Sequence, residues 1–397
     1  MKFIVLVGDG MPDRPLKELG GKTPLQAAET PNMDLIASSG VCGMANFVPG
    51  SMPPGSDVAN LSLFGYDPLK YYTGRGPFEA ASMGIELEDG DVAFRCNLVT
   101  VRDGTMDDYS AGHITTADAR KLILELDSAL SSDRIKFYPG ISYRHLCVIK
   151  NGPRQAECTP PHDITGKEIE AYLPKGQGES VLNDLMKRSA PVLEKSPVNK
   201  KRIKAGNKPA TQVWLWGQGV KPSMPTYEKK YGLTGSVITA VDLLKGIGIC
   251  AGLDAINVPG ATGYLDTNYR GKAEYALKSL KVKDFVFVHV EAPDECGHNG
   301  DIKGKIKAIE DFDRLVVGTV LKGVKSFKEW RLLVTADHPT PIAIKTHSRG
   351  MVPFAVTGSG IVKGTVSRFS EKDIEKSGIK IEKGYTLLSK FLKGKVE

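Results

Sequence analysis

A chain of 397 residues with 41% hydrophobic and 25% charged residues can build a packed core, and its length suggests two domains or one domain carrying a large insertion. No apolar stretch approaches the roughly 20 residues that span a bilayer, so no membrane is expected as a partner and the chain is expected to be cytoplasmic. The net charge of +7 does not argue for nucleic acid either: Lys187 to Lys208 carries eight bases against the single acid Glu194 and has no interleaved aromatics, which predicts a solvated connector.

At the N-terminus "KFIVLV" (2–7) runs into Gly-Asp-Gly without a small-residue cleavage site, and it is predicted as the first strand of the fold. In "DVAFRCNLVTV" (91–101) Val92, Phe94, Cys96 and Leu98 alternate with Ala93, Arg95 and Asn97, the pattern of a strand buried on one side. "TTADARKLILELDSALSS" follows as a helix capped by Thr115 or Thr116, with Leu122, Ile123, Leu126 and Leu130 on its apolar face. A strand, "HLCVIK" (145–150), comes next. Further on, "LTGSVITAVDLLKGIG" places Val237, Val241 and Leu244 at helical spacing, and "KIKAIEDFDRLVVGTVLKGV" does the same with Ile306, Ile309, Phe312, Val316 and Val320. "DAINVPG" (254–260), "DFVFVHV" (284–290), "RLLVTAD" (331–337) and "VPFAVTG" (352–358) are apolar nearly throughout, as strands buried on both faces of a parallel sheet are. The expected fold is an α/β layered sheet built from 1–66 and 210–397, interrupted by a smaller inserted α+β domain at 67–209. Six cysteines without a C-x-x-C pair are expected to be buried, reduced thiols.

Ligand groups in such sheets gather where strands end at their carboxyl edges. Four segments place metal-type side chains at strand boundaries: Asp9, Asp294 with His298, Asp337 with His338, and His347. Each alone has an ordinary explanation, Asp9 as a turn former, His298 as a helix cap, His347 as a surface loop residue. Together, three carboxylates and three imidazoles are too many for one structural zinc and suit two divalent ions. Asp294 and His298, one helical turn apart, can face the same ion. His289, inside its strand, is expected to satisfy a core hydrogen bond instead. Ser56 in "GSMPPGSDVANLSLFGYDP" precedes a helical stretch, so its hydroxyl would sit where free N–H groups and the helix dipole favour negative charge. It can be a nucleophile or simply an N-cap.

The segments "LVGDGMPDRP", "MPPGSDVANLSLFGYDP", "GRGPFEAASMGIEL", "HVEAPDECGHNGD", "TADHPTPIAIKTHSRGMVPF" and "WLWGQG" resemble the archaeal-type cofactor-independent phosphoglycerate mutases of the alkaline phosphatase superfamily, over residues 1 to about 360. The resemblance implies an alkaline-phosphatase-like sheet with helices on both faces. It implies one ion held by Asp294, His298 and His347, another by Asp9, Ser56, Asp337 and His338, and a Ser56 that is phosphorylated during turnover. Where longer bacterial relatives have a paired-arginine strand, this chain has "WLWGQGVKP", so substrate contacts are not transferred from them. On local grounds Arg75, Arg95, His113 and Arg144 are the expected donors to a phosphate and a carboxylate.

The expected activity is interconversion of 2- and 3-phosphoglycerate, in glycolysis and gluconeogenesis, by two phosphoryl transfers through Ser56, without bisphosphoglycerate. A metal-dependent phosphatase, or a phosphotransferase of the homoserine-kinase type, would keep the same serine and ligands and stays open at this point. Manganese, zinc, cobalt and magnesium are all admitted, and a homo-oligomer is left open.

Overall fold

In the computed structural model, which describes residues 1–396, the chain divides into two compact units. Residues 1–72 and 223–397 form one and residues 73–222 the other. The chain begins with β1 (Lys2–Gly8) and β2 (Val41–Ala45). It then builds the inserted unit on β3 (Asp91–Arg102), β4 (Thr105–Asp108), β5 (Ile135–Ile141), β6 (Arg144–Lys150) and β7 (Gln212–Gly219). It returns with β8 (Gly235–Ile238), β9 (Asp254–Ala255), β10 (Phe285–Val290), β11 (Trp330–Thr335), β12 (Val352–Gly358) and β13 (Lys380–Ile381).

The larger unit carries a sheet in the order β13-β2-β12-β11-β1-β10-β8-β9. At its centre β1 pairs in parallel with both β10 and β11, in registers that bring Gly8 opposite Val290 and Val7 opposite Thr335. Nearly every residue of these three strands is buried, which is why they read as unbroken apolar runs. Three parallel strands ending at one edge deliver the segments that follow them to one place.

Several expectations are corrected. β12 is antiparallel to both β11 and β2, a direction that an apolar run cannot encode. "DAINVPG" contributes only the two-residue β9, the short strand at one edge of the sheet. Val237 lies in β8, and the helix that follows is Asp242–Cys250; a buried strand running straight into a helix mimics helical spacing over a few residues. The "KIKAIEDF…" pattern does form continuous helix, Ile302–Asp311, a π-helical stretch at Phe312–Val317, then Gly318–Val324. Cys42, Cys96, Cys147 and Cys296 are buried, Cys158 and Cys250 are half-buried, and all six are free thiols.

In the inserted unit β3 pairs with β4, β6 and β7, all antiparallel. The return strand β7 therefore belongs to this sheet, and the unit ends at Pro222 where the sequence suggested 209. β3 is buried on both faces from Asp91 to Thr100, not on one. Val92, Phe94, Cys96 and Leu98 pack with Leu122 and Ile123 of the Thr116–Leu130 helix, while Ala93 joins Ala80 of the Arg75–Ser82 helix in a second cluster. Gly76 permits that approach, since a Cβ there would lie 2.2 Å from the Ala93 carbonyl oxygen.

The basic stretch is not a connector. It forms the helices Glu179–Lys195 and Pro197–Lys204, with Leu182, Leu185, Met186 and Leu193 turned into the core. Pro197 misleads as a breaker because it occupies a first-turn position that needs no N–H donor, behind the Ser196 cap. Arg202 is 6% exposed, lies 3.5 Å from Asp118, and donates from Nη2 to the carbonyl oxygens of Ala111 at 2.8 Å and Lys208 at 2.9 Å. Lys200 and Lys201 are exposed. Lys200→Gln and Lys201→Gln should each change unfolding free energy by under about 0.5 kcal/mol. Arg202→Gln, which strands two carbonyls and a carboxylate, should cost about 1–3 kcal/mol in urea unfolding.

His145 is buried, accepts the Gly140 N–H at Nδ1 at 2.9 Å, and is pushed down to about 3 by burial, with the Arg144 charge adding to it. A histidine held below its ordinary value of 6.5 contributes stability that is complete above pH 6.5 and is lost as pH falls toward 3. Between pH 7 and 4.5 the wild-type chain should therefore lose stability more steeply than a His145→Asn variant, measured by denaturant titration at each pH.

Candidate active site

The loop and helix after β10 present the first cluster. The Ala292–Asn299 helix turns Asp294 and His298 to the same side, with His298 Nε2 3.2 Å from Asp294 Oδ2. His347 brings its Nε2 to 3.0 Å from His298 Nε2 and 3.6 Å from Asp294 Oδ1. His298 Nδ1 donates to the Lys345 carbonyl oxygen at 3.0 Å, which leaves Nε2 as the nitrogen that faces the cluster. Burial opposes ionisation of Asp294, but hydrogen bonds from His298 and His347 hold its carboxyl well below the usual range. The same hydrogen bond raises His298 to about 9.

The second cluster is assembled from the ends of β1 and β11 and from the Ser56–Leu63 helix. His338 Nε2 lies 3.0 Å from Ser56 Oγ, 3.3 Å from Asp337 Oδ2 and 3.5 Å from Asp9 Oδ1. Ser56 is the first residue of its helix, behind the N-cap Gly55, and its hydroxyl meets the cluster at His338 Nε2. Asp9 is 1% exposed; burial and the neighbouring charges of Asp337 and Asp294 push its carboxyl well above the usual range. Burial lowers His338. Gly10, at φ +61°, lets the chain turn here, and a Cβ on it would lie 2.6 Å from Thr340 Oγ1 and 2.7 Å from Asp294 Oδ1. The structure thus brings together all seven residues singled out for metal and nucleophile.

Three of the four nominated donors, Arg75, Arg95 and His113, lie along one band of side-chain contacts in the inserted unit. Arg95 is 5% exposed, with Nε 3.3 Å from Glu79 and its guanidinium 4.5 Å from the centre of the Trp216 ring. Arg75 shares both partners, at 4.0 Å and 5.7 Å. Burial pulls Arg95 down to about 10; Glu79 opposes this, while the charges of Arg75 and Arg144 add to it. From Trp216 the ring contacts continue through His162, Tyr109 and Tyr143 to His113. His113 and Arg144 are exposed.

The sequence pattern described as 2,3-bisphosphoglycerate-independent phosphoglycerate mutase matches residues 37–199. Over 395 residues the chain is 53% identical to the protein of that name from Methanothrix thermoacetophila, covering 99% of this chain and 100% of that one. The chain belongs to this mutase family. The Methanosarcina barkeri mutase is 54% identical over 398 residues, with both chains covered in full. Among solved structures, a cofactor-independent phosphoglycerate mutase from Thermoplasma acidophilum superposes with a TM-score of 0.67 at 28% identity, covering 100% of each chain. The PH0037 protein of Pyrococcus horikoshii superposes with a TM-score of 0.85 at 30% identity, covering 99% of this chain and 97% of that one.

For a mutase of this family the donor chemistry fits divalent cations. Donor atoms of Asp294, His298 and His347 lie within 4.8 Å of one another, as do those of Asp9, Asp294 and His338. Asp9 Oδ1 is buried without a hydrogen-bond partner, a costly state that a cation would relieve. Supporting residues escaped the sequence reasoning because nothing in their types or spacing marks them. Thr340 Oγ1 contacts Asp294 Oδ1 and lies 3.2 Å from His338 Nδ1, linking the two clusters. Lys305 is fully buried, pairs with Asp13 at 2.8 Å and donates to the Thr340 carbonyl oxygen at 2.8 Å. Asn60 Nδ2 donates to Asp337 Oδ2 at 2.8 Å and to the Ser56 carbonyl oxygen at 2.9 Å. Asn60→Ala should keep the fold but weaken binding of a divalent ion about 10–100-fold, measured by calorimetric titration of the ion-free protein.

Proposed function

We infer that this chain interconverts 2-phosphoglycerate and 3-phosphoglycerate by way of a phosphoserine at Ser56. The observation that carries the reading is the Ser56 hydroxyl, at the start of its helix, 3.0 Å from His338 Nε2 and beside the buried carboxylates. Asp294, His298 and His347 would hold one divalent ion, and Asp9, Ser56, Asp337 and His338 a second. Such ions supply charge that lowers the serine pKa and offsets the charge of the transferring phosphoryl group.

The chain's own residues do the rest. Ser56 Oγ attacks phosphorus in line, the bond from phosphorus to the glycerate oxygen breaks, and in net the serine proton ends on the vacated hydroxyl. The second transfer runs the same exchange with the other glycerate hydroxyl, so no bisphosphorylated cofactor is consumed. Between the steps the glycerate must stay bound and water must stay out, because water reaching the phosphoserine would be activated as the hydroxyl is. We propose Arg75, Arg95, His113 and Arg144 as the donors to the glycerate carboxylate and hydroxyls.

In an assay on 3-phosphoglycerate without added bisphosphoglycerate, chelation should abolish turnover and added ions should restore it, while Ser56→Ala should lose it with the fold intact. Arg144→Ala and His113→Ala should lose mutase product and release a larger share of free phosphate. Turnover by the Ser56→Ala enzyme would exclude the phosphoserine, and wild-type release of phosphate alone would make the protein a phosphatase.

A further inference from the structure

His289 is the penultimate residue of β10, opposite Val7 of β1, in the strand that leads into the helix carrying Asp294. It is fully buried; its expected core hydrogen bond is made at Nδ1, with Thr239 Oγ1 at 3.4 Å, while Nε2 has none. That nitrogen lies 2.9 Å from Asp9 Oδ2 without hydrogen-bond geometry between the two. Asp9 Oδ1 also lacks a hydrogen-bond partner. Donor atoms of Asp9, His289 and Asp337 all lie within 4.8 Å of one another. Two unsatisfied polar atoms on fully buried side chains, in one small volume with a second carboxylate, cost free energy in any state that leaves them so. In the tautomer that carries its proton on Nδ1, toward Thr239 Oγ1 at 3.4 Å, Nε2 presents a lone pair to that volume. Lys272, also fully buried, donates to the His289 carbonyl oxygen at 3.0 Å and fixes the strand end that carries the ring.

We propose that His289 is a further protein donor to the ion held by Asp9 and Asp337, and that this second imidazole beside His338 biases the site toward imidazole-preferring ions such as cobalt and zinc over magnesium. The inference rests on the two-ion reading above. Its chemical ground is that imidazole nitrogen suits the later first-row divalent ions, whereas magnesium favours oxygen donors.

The test is a titration of ion-free protein with cobalt(II), followed by visible absorption and by the count of ions retained after dialysis, on wild type, His289→Asn and His289→Gln. Circular dichroism checks the fold, and the glutamine variant serves where the asparagine variant fails to fold. The expected result is two ions per wild-type chain. In the variants one site should weaken at least about tenfold, its absorption bands should move, and the ratio of cobalt to magnesium affinity at that site should fall. Unchanged affinity and bands would overturn the proposal, as would weaker binding with unmoved bands, which would mean that His289 acts only through Asp9. Wild-type protein that retains fewer than two ions would instead bring down the two-ion reading itself.

Discussion

Three carboxylates, Asp9, Asp294 and Asp337, are buried in one small volume, and much of the larger unit follows from what that requires. Burial drives the Asp9 carboxyl well up, and the like charges beside it, which repel in a medium that screens them poorly, add to this. Asp294 escapes the same fate only because His298 and His347 hydrogen-bond to it. Such a cluster is tolerable if positive charge can enter it, and the imidazoles around it are the donors that such charge would need. The electrostatic debt and the proposed chemistry have one source, the parallel trio β1, β10 and β11 that ends at a common edge.

Holding those side chains in position falls to groups that take no part in the proposed chemistry. Asn60, one turn into the Ser56 helix, ties the Ser56 carbonyl to Asp337, which fixes the serine against the carboxylate. Thr340 bridges Asp294 and His338, and Lys305 with Asp13 clamps the segment that carries Thr340. A buried lysine–aspartate pair adds little net stability once desolvation is counted, so its value here is geometric. The inserted unit uses a different device: Glu79 and the Trp216 face neutralise and stack a buried arginine, so that Arg75 can be carried beside it at the surface of the band.

Much of this was legible beforehand. Apolar runs mark β1, β10 and β11 because strands covered on both faces have no solvent side to record, and Asp9, Asp294, His298, Asp337, His338 and Ser56 follow such runs or stand at a helix start, while His347 lies in the loop ahead of β12. β3 was misjudged for the converse reason: Arg95 and Asn97 read as solvent-facing, yet each finds a buried partner, Glu79 for one and the Trp216 indole N–H for the other. The basic segment 187–208 misled by charge alone, since long cationic side chains sit well on the outer face of an amphipathic helix.

The sequence by itself therefore determined the buried strands at the centre of the large sheet, the candidates for ligand and nucleophile, and the family to which they point, because residue type and spacing along one strand or helix turn are local properties. Tertiary structure alone decided that β12 runs antiparallel, that β7 belongs to the inserted sheet, that Asn60, Thr340 and Lys305 support the site, and that His289 faces Asp9 without a hydrogen bond. Each of those joins residues far apart in the chain, and a polar side chain's partner across such a distance is set by the packing of whole elements, which no local pattern records.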